Sequence, residues 1–323
     1  MTLAFPAARS YDLLAFGDPT LDLLLTVQRA PLADEKVLGR RLPPLAGGTV
    51  ANVACAASLL GRRTLAYGRI AADAEGAFLR AGYEGRGVDT AYLRAVPGAV
   101  SPTALVLVEA SGEKAVIYAP MPGATLDEAT LAPALAHSRV IYAMPYDLAE
   151  FERVHALARA AGTSLAIDVE AAMVSSRPQL EHLLALCDIV FMNDATYRAV
   201  LGMEPDEAGM AALLGTPHRS GPALLAVSRG ARGAVLAVPG AFMTQPAFAT
   251  TVVDTTGAGD AFNGALLAAL LEGQAPDAAL RFACAAGSLA VTAVGARAAL
   301  PVRAQVEAVL ANGNAARVVS SEQ

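Results

Sequence analysis

The apolar positions of this chain fall into two alternating patterns. Short continuous runs occur at Leu13–Phe16, Thr64–Tyr67, Val140–Ala143, Ser164–Asp168, Asp188–Met192, Ala223–Ser228 and Ala234–Val238. Runs of this kind suit strands of a parallel sheet whose two faces are both covered, since neither face meets water. Between them apolar residues recur three and four apart, which predicts helices near Val50–Leu60, Ala74–Glu84, Leu148–Ala161, Gln179–Leu186, Ala258–Glu272 and Asp277–Ala293. The alternation predicts an α/β fold with a mostly parallel central sheet.

One region departs from it. Thr103–Val108 and Lys114–Ala119 are β-rich and flank Glu109-Ala110-Ser111-Gly112-Glu113, which reads as a hairpin turn. Leu21–Val27 and Val37–Leu42 are also extended, with no helix between them. These segments, near 21–46 and 100–120, predict a small, mostly antiparallel accessory sheet. Such a sheet closes over a substrate as a lid or is an ordinary edge extension; the pattern alone allows both.

The segment richest in chemistry is Val252-Val253-Asp254-Thr255-Thr256-Gly257-Ala258-Gly259-Asp260-Ala261-Phe262-Asn263-Gly264. A β-type run meets a glycine turn, and Leu266, Leu267, Leu270 and Leu271 then recur at helical spacing. The first turn of a helix leaves N–H groups unpaired and pointing one way, at the positive end of the dipole. With Gly257 and Gly259 removing side-chain bulk, a phosphate can approach those amides, those of Ala258 and Asp260 included. Asp260 would stand beside a transferring phosphoryl group as a carboxylate able to take a proton from a hydroxyl. The plainer alternative is a tight turn with Asp260 as a helix cap.

Composition narrows the class. The 323 residues are 54% hydrophobic and 17% charged, enough apolar material for one large domain, 1–323, with an appendage. No uninterrupted apolar segment reaches the ~18 residues of a membrane span. Phe282–Ala296, bounded by Arg281 and Arg297, reads as a buried helix. The first ten residues carry no secretory pattern, so a cytoplasmic location is expected. A net charge of −6 disfavours nucleic acid and anionic membranes as partners. Lys36 and Lys114 are the only lysines, and neither lies in a Gly-Lys-Ser/Thr loop. Nucleotide phosphates must then be held by backbone amides, arginines and metal. Cys55, Cys187 and Cys284 lack metal-ligand spacing and read as reduced, buried thiols. His137, His155, His182 and His218 are scattered without catalytic spacing and read as surface residues.

Further segments have site character. Ala46-Gly47-Gly48-Thr49-Val50-Ala51-Asn52 opens a helix, with glycines that allow close backbone approach and an amide that both donates and accepts. Gly17-Asp18-Pro19-Thr20-Leu21-Asp22 follows the first strand, at the end where open α/β sheets bind ligands. Asp188–Asn193 leads to Asn193, and Ser228-Arg229-Gly230-Ala231-Arg232-Gly233 forms a glycine-bearing loop.

Together these residues resemble the ribokinase-like carbohydrate kinases, the PfkB group. Asp254–Gly264 resembles the family's second signature and Gly47-Gly48-x-x-x-Asn52 its first, in the expected order, and the likeness runs from Gly17 to about Pro301. The resemblance implies a three-layer α/β/α ribokinase-like fold with a small β lid, and ATP-dependent phosphorylation of a sugar hydroxyl. It implies Asp260 as base, the Gly257–Asp260 amides as anion hole, and Asp22, Gly47, Gly48 and Asn52 as sugar-binding. Asp18 has no family counterpart and reads as a turn cap. Asn193, Ser228, Gly230 and Gly233 fall on the nucleotide side, with the neighbourhood of Cys284 and Gly287 as a wall for the base. The family's Asn-x-x-Glu motif, which organises Mg²⁺, keeps Asn193 but has Thr196 for the glutamate; Asp194 or Glu204 are substitutes the sequence does not fix. Asp254, Thr256 and Gly295 match part of a monovalent-cation (K⁺) site, whose later side-chain position is Ala299. The family's Gly-x-Asp-x-x-Gly is kept only at Asp73 and Gly76.

The expected reaction is transfer from ATP to ribose, a ketose or a keto-deoxy sugar acid, the last needing a cation such as Arg94 or Arg69 near its carboxylate. A nucleoside kinase is the alternative, with Tyr146 or Tyr118 as a shelf for the base. A sugar- or nucleotide-binding protein without catalysis is a third reading. Lid strands pairing across a homodimer are implied by analogy only.

Overall fold

The computed structural model describes residues 5–6, 9–111, 113–215 and 220–312. Strand β1 (Tyr11–Phe16) lies inside the main sheet, and the chain then leaves it for β2 (Thr20–Val27), β3 (Gly39–Arg41) and β4 (Leu45–Gly47) of a second sheet. Helix α1 (Thr49–Leu59) returns it to β5 (Thr64–Ala71), α2 (Ala74–Glu84) and β6 (Asp89–Val96). The hairpin β7 (Thr103–Glu109) and β8 (Lys114–Ala119) rejoins the second sheet; its turn includes Gly112, outside the described residues. Alternation resumes with α3 (Glu128–Ala136), β9 (Ser138–Ala143), α4 (Leu148–Ala161), β10 (Ser164–Val169), α5 (Arg177–Leu186) and β11 (Ile189–Asn193). After α6 (Asp194–Leu201), α7 (Glu207–Ala211), β12 (Leu224–Ser228), β13 (Ala234–Val238) and β14 (Ala241–Gln245) come α8 (Ala258–Leu271), α9 (Pro276–Ala290) and α10 (Arg303–Asn312).

Among the described residues the main sheet has nine strands in the order β14-β13-β12-β11-β10-β9-β1-β5-β6, antiparallel only at β12–β13 and β13–β14. Side chains of a strand alternate between faces, and β1 shows the result. Leu13 and Ala15 enter a core built with α1, α2, α8, α9 and α10, whereas Leu14 and Phe16 enter another built with α3 to α7. The three layers thus follow from continuous apolar strands that need a cover on each side. Helix α8 is buried from Ala261 through Leu271 because it lies between α1 and α9, which is why it is apolar all round. Strand order reverses at β1, with β5 and β6 on one side and β9 to β12 on the other. That reversal opens a crevice at the carboxyl ends of the strands.

The second sheet has the order β3-β2-β7-β8, with β4 also pairing β2. It is antiparallel as expected except between β2 and β7, which run parallel because the chain visits the main sheet between them. Two edge strands, β6 and β14, were not indicated by the apolar runs; both mix exposed with covered positions, and β14 has no fully buried residue. Helix α3 was hidden by Pro133 within it, and α6, α7 and α10 by their shortness or weak patterning. Val252 and Val253, read as a β-type run, form an exposed loop whose Val253 and Asp254 amides donate to the Val291 carbonyl. The apolar segment Phe282–Ala296 is a buried helix only as far as Ala290, after which the chain turns toward Gly295. Among the described residues no helix is long and apolar enough to cross a membrane.

Candidate active site

Helix α8 opens at Gly257, which has φ 77°, the left-handed region that favours glycine. A side chain there would also strike Ala296, whose Cβ lies 2.6 Å from the position of an added Cβ. The turn that follows leaves the amides of Gly259 and Asp260 without backbone partners among the described residues, while Ala258 N–H donates to the Thr255 carbonyl at 3.2 Å. An added Cβ at Gly259 would meet nothing within 4 Å, so the helix mouth is open to a ligand.

Asp260 stands in the first turn of α8, partly covered. Asn52 Nδ2 of α1 donates to Asp260 Oδ2 at 2.7 Å. Burial pushes the Asp260 carboxyl up to about 6; Asn52 and Arg297 oppose the rise, and Glu170 and Asp22 add repulsion. A carboxylate in that range suits a proton acceptor working near neutrality.

On the strand side, Thr20 Oγ1 donates to Asp22 Oδ1 at 2.7 Å. Burial raises the Asp22 pKa against the opposing effects of Thr20 and Arg297. Gly47 pairs near it in β4, and an added Cβ at Gly47 would lie 2.0 Å from Asp22 Oδ2. Glycine here is a steric requirement for the carboxylate to stand where it does. Gly48 is the residue before α1 and completes the turn that presents Asn52.

The neighbouring Asp18 is occupied differently. Arg69 N and Nη2 donate to its two carboxylate oxygens at 2.7 Å each, and both side chains are only 8% exposed. Arg69 also donates to the Met121 and Pro122 carbonyls just beyond β8. Asp18 therefore ties the two sheets together rather than merely capping a turn. Arg69 is thereby removed as a cation for a substrate carboxylate, and Arg94 is turned to the Thr125 carbonyl and Asp127.

The residues expected on the nucleotide side lie at or just beyond successive strand ends. Asn193 and Ser228 are register partners at the ends of β11 and β12. Asn193 Oδ1 accepts from the Thr196 amide at 2.7 Å, so this pair caps α6. Gly230 and Gly233 shape the β12–β13 loop, and Gly287 of α9 packs beside the Ala258 carbonyl at the mouth of α8. Cys284, one turn earlier, faces the Gln245 carbonyl. Asp194 and Glu204 form a surface network with Arg198 and Arg232. Among the described residues no three acidic, histidine or cysteine side chains converge as a metal cage. Mg²⁺ carried largely by phosphate oxygens and water does not need one.

Asp254, Thr256 and Gly295 do come together, around a protein cation. Lys114 Nζ, from β8, bonds Asp254 Oδ1 and Thr256 Oγ1, and the Gly295 amide donates to Asp254 Oδ2 at 2.9 Å. Burial works to raise the Asp254 pKa, but bonds from Lys114, Gly295 and Thr256 together hold it well below the usual carboxylate range. The side chains matched to a K⁺ site thus face an ammonium of the chain itself, a poor fit for a further cation. Tyr67–Gly76 is architectural at its end, where Asp73 caps α2 by accepting from the Gly76 amide at 2.8 Å. His137, His155 and His182 lie on the helical periphery, and His218 is outside the described residues.

Sequence reasoning missed four site neighbours. Asp168, near the end of β10, accepts from Asn263 Nδ2 at 2.9 Å, and burial followed by repulsion from Asp260 and Glu170 pushes it to about 7. Glu170 accepts from Tyr146 at 3.3 Å. Both lie at the carboxyl end of a predicted strand, so the crevice rule applied to Asp22 would have found them. Lys114 and Arg297 carried no local signal; only the fold brings them here. Tyr118 and Tyr146 stack with ring centroids 6.4 Å apart.

An open α/β crevice, a helix mouth with free amides and a partly covered aspartate are the parts that transfer of a phosphoryl group to an alcohol would use. The comparisons agree. The family described as pfkB family carbohydrate kinase matches residues 11–303, and the chain belongs to that family. It is 26% identical to a ribokinase of Haemophilus influenzae over 296 residues, 90% of this chain and 95% of that protein. A fructokinase of Klebsiella pneumoniae is 32% identical over 284 residues, 81% of this chain and 91% of that one. The structure of Arabidopsis thaliana ribokinase complexed with ribose and ATP superposes with a TM-score of 0.81 at 27% identity, covering 93% of this chain and 99% of that one. The protein is a carbohydrate kinase.

Proposed function

We propose that this carbohydrate kinase transfers a phosphoryl group from ATP to a hydroxyl of a neutral sugar, a pentose such as ribose or a ketose. The observation carrying the reading is Asp260 at the mouth of α8, its carboxylate oriented by Asn52 at 2.7 Å. ATP supplies the electrophilic phosphoryl group, and Mg²⁺ would supply charge neutralisation there. Asp22, Gly47 and Gly48 hold the sugar so that one hydroxyl faces Asp260, which accepts its proton. The Gly257–Asp260 amides meet the charge gathering on the phosphoryl oxygens, while Asn193, Ser228, Gly230 and Gly233 line the nucleotide side. Most of the barrier reduction comes from positioning and preoriented dipoles. The engagement of Arg69 and Arg94 elsewhere argues against a sugar acid.

The second sheet acts as a lid of the single kinase domain, its strands β7 and β8 closing over the sugar. Asp22, Ala104 and Tyr118 are register neighbours across β2, β7 and β8 and share one face. Two strand spacings, about 10 Å in all, separate Asp22 from Tyr118 with a small residue between. This trough, walled by the Tyr118–Tyr146 pair, favours a second reading in which the substrate carries a base, as a nucleoside does. The exposed Val116 and Ile117 on edge strand β8 also suit pairing with a second copy, and three buried free thiols suit a reducing cytoplasm.

ADP release measured over ribose, ketoses, keto-deoxy sugar acids and nucleosides tests the reading. Turnover with a neutral sugar is expected. Turnover with nucleosides alone selects the second reading. No turnover with any acceptor, despite ATP binding, would overturn both in favour of a binding protein.

A further inference from the structure

Arg297 follows α9 by only a few residues, yet it is 6% exposed and sits between the two halves of the site. Its Nε donates to Asn52 Oδ1 at 2.7 Å, and its Nη2 donates to the Gly47 carbonyl at 2.6 Å. The guanidinium lies over the Tyr83 ring, 5.5 Å from the centroid. Asn52 passes the contact on, since its Nδ2 donates to Asp260 Oδ2. Gly47, in turn, backs the Asp22 carboxylate.

An asparagine amide can bind in two orientations, with oxygen and nitrogen exchanged. Were the Asn52 amide reversed, its oxygen would face a carboxylate oxygen and its nitrogen would face a guanidinium, so acceptor would meet acceptor and donor would meet donor. Arg297 forbids that state. Among the described residues a third nitrogen, Nη1, is buried without a hydrogen-bond partner near Gly82. A buried arginine with an unmet donor is a poor stabilising device, since an apolar residue of similar volume avoids the desolvation. Its presence here points to a role in the site.

We propose that Arg297 is a positioning residue: it clamps the Asn52 amide and the Gly47 carbonyl, so fixing the donor that Asp260 meets and tying the base to the sugar-binding strand. The proposal rests on the reading of Asp260 as base. Arg297 bonds Asn52 and the Gly47 carbonyl and, among the described residues, makes no hydrogen bond to Asp260. The neighbouring backbone adds to the strut, because Ala296 backs Gly257 and the Gly295 amide holds Asp254. One short segment thereby braces the helix mouth and the base together.

The groups facing Asp260 give the test its direction. They are Asn52 from α1, Arg297, Asp22 from β2, and Asp168 and Glu170 from β10 and the residue after it. Three are carboxylates, so removing the one cation leaves repulsion uncompensated and frees the amide to turn. Arg297→Met is therefore expected to move the acid limb of kcat/KM upward by about one pH unit, a ~10-fold loss on the acid side. Activity recovers toward high pH, and unfolding stays cooperative. Arg297→Lys, which keeps charge but not the two-bond fork, moves the limb less in the same direction and serves if the methionine variant does not fold. In an Asn52→Ala background, Arg297→Met should shift the limb by less than it does in the parent, because the intermediary is gone. An unmoved limb, or a uniform loss at every pH, overturns the proposal while leaving Asp260 in place. Asp260→Asn with near-normal turnover instead removes the reading on which it rests.

Discussion

The main sheet and the second sheet are built from similar residues yet occupy opposite physical regimes. In β1, Asp12 through Phe16 are buried, with helices on each side, and the site aspartate Asp260 begins a helix locked between α1 and α9. In β8 every residue is exposed, including Val116, Ile117 and Tyr118. Buried, cross-braced elements open only at large free energy, whereas thinly covered ones open cheaply. Asp260 and the mouth of α8 therefore belong to the rigid body, and β8 to the part that opens more cheaply. Two side chains bridge the regimes in different ways. Arg69, buried, anchors the root of the second sheet through Asp18, while Lys114, partly exposed, pins its outer strand to the loop before α8.

The largest effect is expected on the rigid side. Asp260→Asn keeps shape but removes the proton acceptor, and kcat measured at saturating sugar should fall about 10²–10⁴-fold. The parent enzyme should lose kcat/KM as pH drops through about 6, because the carboxyl then carries a proton and cannot accept another. A flat profile down to pH 5 would place the base elsewhere.

Next comes the root of the second sheet. Arg69→Met leaves the Asp18 carboxylate buried without its counter-ion, held only by the Arg69 amide and Thr125 Oγ1, which costs roughly 3–5 kcal/mol by denaturant unfolding. An unchanged midpoint would mean that the two sheets are not joined through this pair. Lys114→Met should loosen the second sheet's outer strand, lowering kcat/KM about 2- to 5-fold and stability by no more than the ~0.5–1 kcal/mol of a partly exposed ion pair. Since Lys114 faces the side chains matched to a K⁺ site, the parent should be equally active in Na⁺ and K⁺. A strong K⁺ requirement in the parent would show that the lysine leaves that place when substrates bind.

Much of this was legible in local pattern. The seven central strands and six long helices emerge from apolar spacing, and α4 and α2 end where the spacing places them. Asp260, Asn52 and Asp22 were legible because each stands in a short signature whose neighbours share its chemistry. Asp18 was misread as a turn cap because its partner lies 51 residues away on β5. Asp194 and Glu204, acidic residues near the place of the family's glutamate, are engaged by nearby arginines at the surface, a pairing that chain order does not announce. Edge strands were illegible because a half-covered strand has no continuous apolar run to announce it.

The order of residues alone dictates the layered α/β class, the glycine-opened mouth of α8 and the amides it leaves unpaired, since these depend on contacts between near neighbours and on burial demanded by composition. Folding in three dimensions decided which charges meet. Lys114 reaches Asp254 across 140 residues, and Arg297 reaches Asn52 across 245. Electrostatic and hydrogen-bond energies depend on separation in space, and separation along a chain says almost nothing about that until the strands have chosen their neighbours.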